Sequence, residues 1–263
     1  MAKSLDIKKH RHDRDQLLDL LHQQEAKRGF LVAFEGPDGA GKTTQRKLFK
    51  KWLETQGHQV VSTKWGSSPL IKPVIKARKM AHALSPEEYC LLHAADFRYR
   101  LENDILPALW QGKMVIADGY IFTALAQDAA RGLELGWQLS VYVPLFWPDA
   151  VFYFAVSPEV SGRRISVETA PKYYAAGQDV TNIDDPMESY KQHVERVNRE
   201  YQALAMIFKF VTINAEQSIY EQHRSIRQLF RESQRRPWAE WNVDAVIEWL
   251  RRQMQSPEVQ LGF

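Results

Sequence analysis

Eight consecutive residues carry the clearest chemistry in the sequence. Gly36-Pro37-Asp38-Gly39-Ala40-Gly41-Lys42-Thr43 matches the phosphate-binding pattern G-x-x-x-x-G-K-[ST] at every fixed position. Glycines let the backbone point its N–H groups at phosphate oxygens, and the following helix presents its positive end to the same anion. The ammonium of Lys42 reaches the outer phosphates of a nucleotide, and the Thr43 hydroxyl ligates Mg²⁺. The predicted phosphate-binding residues are Gly36, Gly39, Ala40, Gly41, Lys42, Thr43 and Thr44.

Asp118 is the second candidate for metal chemistry. It follows the apolar run Met114-Val115-Ile116-Ala117, which predicts a buried strand. A carboxylate at the carboxyl end of a parallel strand lies where α/β proteins bind ligands. We therefore expect Asp118 to complete the Mg²⁺ site with Thr43. The alternative is an aspartate that caps the next turn.

Elements that could position these residues alternate along the chain. Apolar runs predict strands over 30–34, 59–63, 114–117, 150–156 and 210–213, and helical patterns cover 43–56, 188–208 and 218–234. Ser85 with Glu88 forms a capping box for another helix, which Pro107 should break or kink and Gly112 should stop. This alternation predicts an α/β fold, with a parallel sheet and helices on both faces.

Composition sets limits on the class of protein. The chain has 263 residues, of which 44% are hydrophobic and 25% charged, with a net charge of +3 and one cysteine, Cys90. These values are typical of a soluble globular protein and too weakly basic to indicate nucleic-acid binding. The sequence contains no recognisable membrane span or signal peptide. We therefore expect a cytoplasmic protein with no nucleic-acid or membrane partner.

Further motifs follow the phosphate-binding loop in a fixed order. Together the ordered set, which runs from residue 30 to about 230, resembles the thymidylate kinase family. The matching segments are Phe34–Gln45, Leu84–Pro86, Leu91–Asp96, Val115–Tyr120, Pro148–Val151, Val156–Val160, Arg163–Ile165 and Ile213–Ser218. The resemblance implies a P-loop kinase fold with a helical lid. It also implies transfer of the γ-phosphoryl group of Mg·ATP to a nucleoside monophosphate, which in the family is dTMP.

The resemblance also implies roles for individual residues. Asp38 would face the acceptor sugar, and Arg163, Arg164 and Lys172 would bring lid cations to the transferring phosphoryl group. Such cations stabilise the charge that spreads over the phosphoryl oxygens. The expected catalytic residues are Lys42, Arg163, Arg164 and Asp118. A solvated helix face is the alternative for the two arginines.

Departures from the family pattern cluster on the acceptor side. Gly119 stands where the family's D-R-[YH] motif has arginine, and Lys64-Trp65-Gly66-Ser67-Ser68 replaces its R-E-P-G-G segment. His93 and Phe97 stand where the family has a base-stacking phenylalanine and a base-reading arginine, and Gln127-Asp128 replaces a Tyr-Gln pair. Since glycine offers neither charge nor donors, our hypothesis is that the acceptor need not be dTMP.

Several side chains are candidates for the altered acceptor site. The predicted acceptor-binding residues are Asp38, Lys64, His93, Phe97, Arg98, Tyr120 and Gln127. The cations that could replace the missing arginine are Lys64, Lys72, Arg98, Arg100 and Arg131, of which Arg98 is the first choice. His93 has a second interpretation, as a hydrogen-bonded core histidine.

Two alternative functions and the domain limits complete the sequence predictions. The acceptor could be a small molecule other than a nucleotide, or the chain could be a catalytically weak, ATP-binding regulatory module. Residues 29–234 form the expected kinase domain. Residues 1–28 are expected to form an N-terminal helical extension and 235–263 a C-terminal helical appendage. We expect the protein to be a homodimer.

Overall fold

The computed structural model describes residues 29–142, 146–165 and 170–233. The predicted N-terminal extension, 1–28, and C-terminal appendage, 235–263, lie outside the described residues. Within the described ranges, no helix is both long enough and apolar enough to cross a membrane.

Five parallel strands form one sheet. They are β1 (Phe30–Glu35), β2 (Val60–Lys64), β3 (Met114–Asp118), β4 (Ala150–Ala155) and β5 (Val211–Asn214). Their order across the sheet is β2-β3-β1-β4-β5, and every neighbouring pair is parallel. The predicted α/β class and parallel sheet are therefore confirmed, with strand limits within about one residue of the predicted ones.

Helices connect the strands and cover the sheet. The larger ones are α1 (Lys42–Thr55), α2 (Lys72–Met80), α3 (Pro86–Arg100), α4 (Leu106–Trp110), α5 (Ile121–Ala129) and α6 (Leu135–Tyr142), followed after β4 by α7 (Pro158–Ile165), α10 (Pro186–Ile207) and α11 (Ile219–Ser233). Two single-turn helices, α8 (Tyr173–Ala176) and α9 (Gln178–Thr181), precede α10. Helices α2 and α5–α9 were not predicted from the sequence.

Alternation along the central strand divides the core into two. Leu31 and Ala33 pack on one face of the sheet against α3, α5, α6 and α10. Val32 and Phe34 pack on the other face against α1 and α11. All four side chains are fully buried, as expected for a strand covered by helices on both sides.

Local signals fix the ends of several helices. Ser85 accepts a hydrogen bond from the Glu88 amide at 3.2 Å, which is the predicted N-cap of α3. The α-helix is interrupted just before Pro107, where the sequence predicted a break or a kink, although the chain stays helical. A π-helical turn at Leu101–Ile105 precedes Pro107, which falls in the first turn of α4, where a missing N–H is tolerated. Gly112 ends this helix, as predicted, in the left-handed conformation (φ 71°).

Candidate active site

A single cleft of about 840 Å³ opens at the carboxyl edge of the sheet. Its walls come from the loop after β1, the turn after β2, the end of β3, and the helices α2, α3, α5, α7 and α10. This is the edge at which ligands bind in open α/β sheets. The cleft therefore brings together segments that are far apart in sequence.

The phosphate-binding loop lines one end of the cleft, and close contacts fix its shape. Gly36 has φ +139°, and an added Cβ would lie 2.8 Å from the Phe154 carbonyl oxygen. Gly39 has φ +76°, and its Cβ would lie 2.6 Å from the Ser161 carbonyl oxygen. Only glycine satisfies both the backbone conformation and the close approach at these positions.

Lys42 and Thr43 begin helix α1 at the floor of the cleft. The Lys42 ammonium donates to the carbonyl oxygens of Gly36 and Pro37 at 2.6 and 2.7 Å. Thr43 Oγ1 donates to Asp118 Oδ2 at 2.7 Å, and Arg46 Nε lies 3.3 Å from the same oxygen. The structure thus places the hydroxyl and the carboxylate of the predicted metal pair in direct contact. Such oxygen ligands suit Mg²⁺, which uses one or two protein groups together with substrate phosphates.

Glu35 is a fully buried carboxyl group directly before the loop. It accepts hydrogen bonds from Tyr120 N at 2.9 Å, Thr123 Oγ1 at 2.5 Å and Tyr201 Oη at 3.1 Å. Burial raises its pKa from 4.5 to about 7, although these donors act in the opposite direction. Glu35 therefore joins the end of β1 to α5 and α10 beneath the cleft.

Three rings, those of Trp65, Tyr89 and His93, line the same cleft and form an aromatic wall. The Trp65 and His93 rings are stacked at 5.5 Å with an angle of 14° between their planes, and Tyr89 lies 4.5 Å from His93. Burial, together with the nearby cations, lowers the pKa of His93 well below 6.5, so the imidazole is neutral at pH 7. A planar heterocycle can stack on such a wall.

Polar groups border the aromatic wall. Lys79 Nζ lies 3.2 Å from His93 Nε2 and 3.3 Å from Tyr89 Oη, and it is 4.4 Å from the centre of the Tyr89 ring. The Tyr89 hydroxyl donates to Gln127 Oε1 at 3.3 Å. All four residues line the cleft.

Trp65 occupies the space beside Gly119. An added Cβ at Gly119 would lie 2.8 Å from Trp65 Cβ, and the backbone there has φ +80°. The turn that carries Trp65 is fixed by Asp96, which accepts from the amides of Gly66 and Ser68 at 3.0 and 2.8 Å. A larger side chain at position 119 is therefore excluded unless this turn moves.

Helix α7 brings one arginine over the phosphate-binding loop. Arg164 donates to the Gly39 carbonyl oxygen at 3.4 Å and to the Ala215 carbonyl oxygen at 2.9 Å. From α10, the Tyr190 hydroxyl donates to the Asp38 carbonyl oxygen at 2.7 Å. These hydrogen bonds hold the phosphate-binding loop against helices α7 and α10, and they tie α7 to the segment after β5.

Comparison with known proteins decides the family. The sequence profile described as thymidylate kinase matches residues 34–226. The chain is 34% identical over 207 residues to "Probable thymidylate kinase 2" of Saccharolobus solfataricus, covering 78% of this chain and 97% of that protein. It is also 34% identical over 209 residues to the "Probable thymidylate kinase" of Thermococcus gammatolerans, covering 75% and 94%. The chain belongs to the thymidylate kinase family. It is an ATP-dependent nucleoside monophosphate kinase with the P-loop kinase fold of that family.

Most of the predicted site residues of this family member meet in the cleft. On the donor side the lining includes Gly36, Gly39, Gly41, Lys42, Thr43, Thr44, Asp118, Arg164 and Lys172, and on the acceptor side it includes Asp38, Lys64, His93 and Gln127. Ala40 is fully buried beneath the loop, where its amide donates to the Pro37 carbonyl oxygen at 3.3 Å.

The structure does not bring every predicted residue to the cleft. Phe97 is fully buried among core rings, 5.1 Å from Tyr120, whose hydroxyl donates away from the cleft to the Phe146 carbonyl oxygen. Arg98, the first-choice cation, lies 3.8 Å from Glu102 and outside the cleft lining. Arg163 is exposed and does not line the cleft. Phe97, Arg98 and Tyr120 therefore do not line the cleft, unlike the other predicted acceptor-binding residues, and their contact with the acceptor stays a prediction.

Two other candidate cations stabilise the scaffold instead of reaching the acceptor. Arg100 is fully buried and donates to Thr63 Oγ1 at 2.9 Å and to the Gly119 carbonyl oxygen at 3.0 Å. Arg131 is buried and forms an ion pair with Asp179 at 2.9 Å. Lys72 is exposed on α2 and lies outside the cleft lining.

Sequence reasoning missed three residues of the site. Lys79 lies on helix α2, which has no strong pattern in the sequence, and Tyr89 has the spacing of an ordinary helix residue. Glu35 directly precedes the recognised loop, but its burial depends on contacts from α5 and α10. These roles follow from tertiary packing, which the local pattern does not encode.

Proposed function

We propose that the protein transfers the γ-phosphoryl group of ATP to the phosphate of a nucleoside monophosphate whose base stacks on the wall formed by Trp65, Tyr89 and His93. The observation that supports this best is the continuity of the cleft. One cavity is lined both by the phosphate-binding loop and by the aromatic wall. A nucleotide acceptor needs cationic and hydrogen-bonding groups for its phosphate and aromatic surface for its base, and the lining of this cleft offers both.

The proposed roles follow the charges of the cleft. Lys42 and the loop amides hold the donor phosphates, and Lys64, at the end of β2, faces the acceptor phosphate. Arg164 and Lys172 stabilise the charge on the transferring group, and Asp38 positions the acceptor sugar. Phosphoryl transfer needs little covalent chemistry from a protein, so that positioning and charge neutralisation account for the catalysis.

A magnesium ion fits the pair formed by Thr43 and Asp118. Their oxygens lie 2.7 Å apart at the base of the loop, beside the expected position of the donor phosphates. When bound, Mg²⁺ would neutralise phosphate charge and fix the orientation of the triphosphate. Asp118 also lies 3.3 Å from Arg46, which keeps the carboxylate turned toward α1.

The acceptor of this family member need not be dTMP. Gly119 has no room for the arginine that the family resemblance implies, because Trp65 Cβ would contact any side chain there. Phe97, at the position of the base-reading arginine, is buried in the core. Discrimination between related substrates depends on such polar contacts, and their loss supports a changed preference.

An acceptor screen with detection of ADP tests this proposal. We expect Mg²⁺-dependent ADP formation with at least one nucleoside monophosphate. Lys42→Ala should lower kcat by at least about 100-fold, because a charge-stabilising group is lost. Lys47→Ala, an exposed lysine on the same helix, is the matched control and should leave kcat unchanged.

Two results would contradict separate parts of the proposal. If no monophosphate supports turnover, the nucleotide acceptor is wrong. If dTMP is phosphorylated at the usual rate of about 1–100 s⁻¹ and is favoured over the other monophosphates, the changed acceptor preference is wrong while the kinase activity stands. The homodimer, the cytoplasmic location and the absence of nucleic-acid and membrane partners stay predictions from the sequence.

A further inference from the structure

Lys79 offers hydrogen-bond donors at the edge of the aromatic wall without a carboxylate partner in the part of the chain that the structure describes. Its ammonium lies 3.2 Å from His93 Nε2 and 3.3 Å from Tyr89 Oη. An ammonium has three N–H donors and no acceptor. His93 Nε2 must therefore accept, in agreement with a neutral imidazole, and the hydroxyl of Tyr89 must accept as well. One donor of Lys79 remains for a ligand.

The series of hydrogen bonds that starts at the Lys79 ammonium continues through the Tyr89 hydroxyl to Gln127. Since Tyr89 Oη accepts from Lys79, it gives its own proton to Gln127 Oε1, 3.3 Å away. This bond uses the amide oxygen of Gln127 and leaves its NH₂ group, which has no hydrogen-bond partner among the described residues. Lys79 and Gln127 both line the cleft. The polar edge of the base site therefore presents N–H donors.

We propose that Lys79 and Gln127 bind the acceptor base through a carbonyl oxygen, so that the enzyme prefers keto bases (uracil, thymine, hypoxanthine and guanine) to amino bases (cytosine and adenine). This inference rests on the proposed nucleotide acceptor. An exocyclic carbonyl accepts from an ammonium or an amide NH₂, whereas an exocyclic amino group is itself a donor and meets donors at this edge. Burial of such an unmatched pair is unfavourable.

The position of Lys79 favours the base over the phosphate as its target. It contacts two of the three rings of the aromatic wall, and its Nζ is 4.4 Å from the Tyr89 ring centre. Lys42 and Lys64 are further cations in the cleft lining, and neither forms a hydrogen bond or a cation–π contact with these rings in the described part of the chain. Lys79 is therefore a specificity-determining residue at the aromatic wall.

Two pairs of acceptors test the preference. The nucleotides dUMP and dCMP differ at C4 of the pyrimidine, and dIMP and dAMP differ at C6 of the purine, where each pair exchanges a carbonyl for an amino group. We expect kcat/KM to be at least about tenfold higher for the keto member of each pair, the usual effect of one charged hydrogen bond. The ratio within a pair is independent of the fraction of folded enzyme.

Variants then assign the preference to the two residues. Lys79→Met should lower the keto-to-amino ratio to near one, and Gln127→Glu should shift it toward the amino bases, because a carboxylate accepts from an amino group. Lys76→Met, an exposed lysine on the same helix outside the cleft lining, is the control and should keep the wild-type ratio. A ratio that Lys79→Met leaves unchanged, or an equal loss for both members of a pair, would overturn the inference. Absence of turnover with every monophosphate would instead contradict the proposed function.

Discussion

Glu35 shows how one buried residue joins the strand before the phosphate-binding loop to two helices beneath the cleft. It directly precedes the phosphate-binding loop, and its carboxyl group accepts from Tyr120 N, Thr123 Oγ1 and Tyr201 Oη. Thr123 itself lines the cleft. A carboxyl group with three donors and no contact with water experiences opposing effects, and burial has the larger one, since the pKa rises to about 7.

This pKa makes stability depend on pH. Because the folded-state pKa of Glu35, about 7, lies above its usual 4.5, the folded protein holds an extra proton between these pH values. The contribution of Glu35 to the free energy of unfolding is fully present below pH 4.5 and is lost as the pH rises to 7. We expect Glu35→Gln to remove this part of the pH dependence, which amounts to about 2–3 kcal/mol. Urea unfolding from pH 4.5 to pH 8 measures it.

A second carboxylate serves as the control for this measurement. Glu54 is exposed on α1, near Lys50 at 3.7 Å. Glu54→Gln should therefore keep the wild-type slope of stability against pH. Parallel curves for the wild type and Glu35→Gln would show that Glu35 titrates at its ordinary pKa, contrary to our expectation.

At the scale of elements, the orientation of helix α7 gives two neighbouring arginines different positions relative to the cleft. Successive residues on a helix point about 100° apart. Both side chains are exposed, but Arg164 lines the cleft and contacts the carbonyl oxygens of Gly39 and Ala215, whereas Arg163 lies outside the cleft lining. The sequence analysis assigned both arginines to catalysis, because the sequence does not show which side of helix α7 faces the phosphate-binding loop.

We expect the two arginines of α7 to differ in their effect on rate. Arg164→Ala should lower kcat by about 100-fold or more, because its guanidinium stabilises charge on the transferring group. Arg163→Ala, the matched control on the same helix, should change kcat far less. Steady-state kinetics at saturating ATP with the best acceptor measures both variants. Equal losses for the two would mean that α7 rotates in the working enzyme.

A helix or strand can be predicted when residues close to it in the sequence specify it. The strands follow from apolar runs, and α3 and α10 from clear patterns, with caps at Ser85 and Asp185. Helix α5 has no side-chain cap at Tyr120, and its buried residues include the polar Thr123 and Asp128, so its start and its burial depend on the surrounding helices. The phosphate-binding loop is also local, so its residues were predicted. The aromatic wall joins the turn after β2 to α3, with Lys79 of α2 beside it, and only the fold brings these segments together.

At the scale of the whole molecule, the sheet separates two cores while the cleft lies at its carboxyl edge. Helix α1 links these features, since its first residue is Lys42 of the loop and its middle residue, Phe49, is fully buried in one core. Phe49 lies within ring contact of Phe34 at 5.6 Å and Phe230 at 5.1 Å. Phe49 is therefore a central side chain among those of α1, with Gln45 and Leu53, that anchor the loop to the sheet and to α11.

Loss of that anchor should lower the stability of the molecule. Phe49→Ala leaves a cavity among aromatic rings, and we expect the free energy of unfolding to fall by about 3–5 kcal/mol. Trp110→Ala removes a larger ring that is 52% exposed, and it should cost about 1 kcal/mol or less. Urea unfolding of both variants at one pH makes the comparison. A similar cost for the two would mean that the core around α1 relaxes to fill the space, and that the loop does not depend on Phe49 for its position.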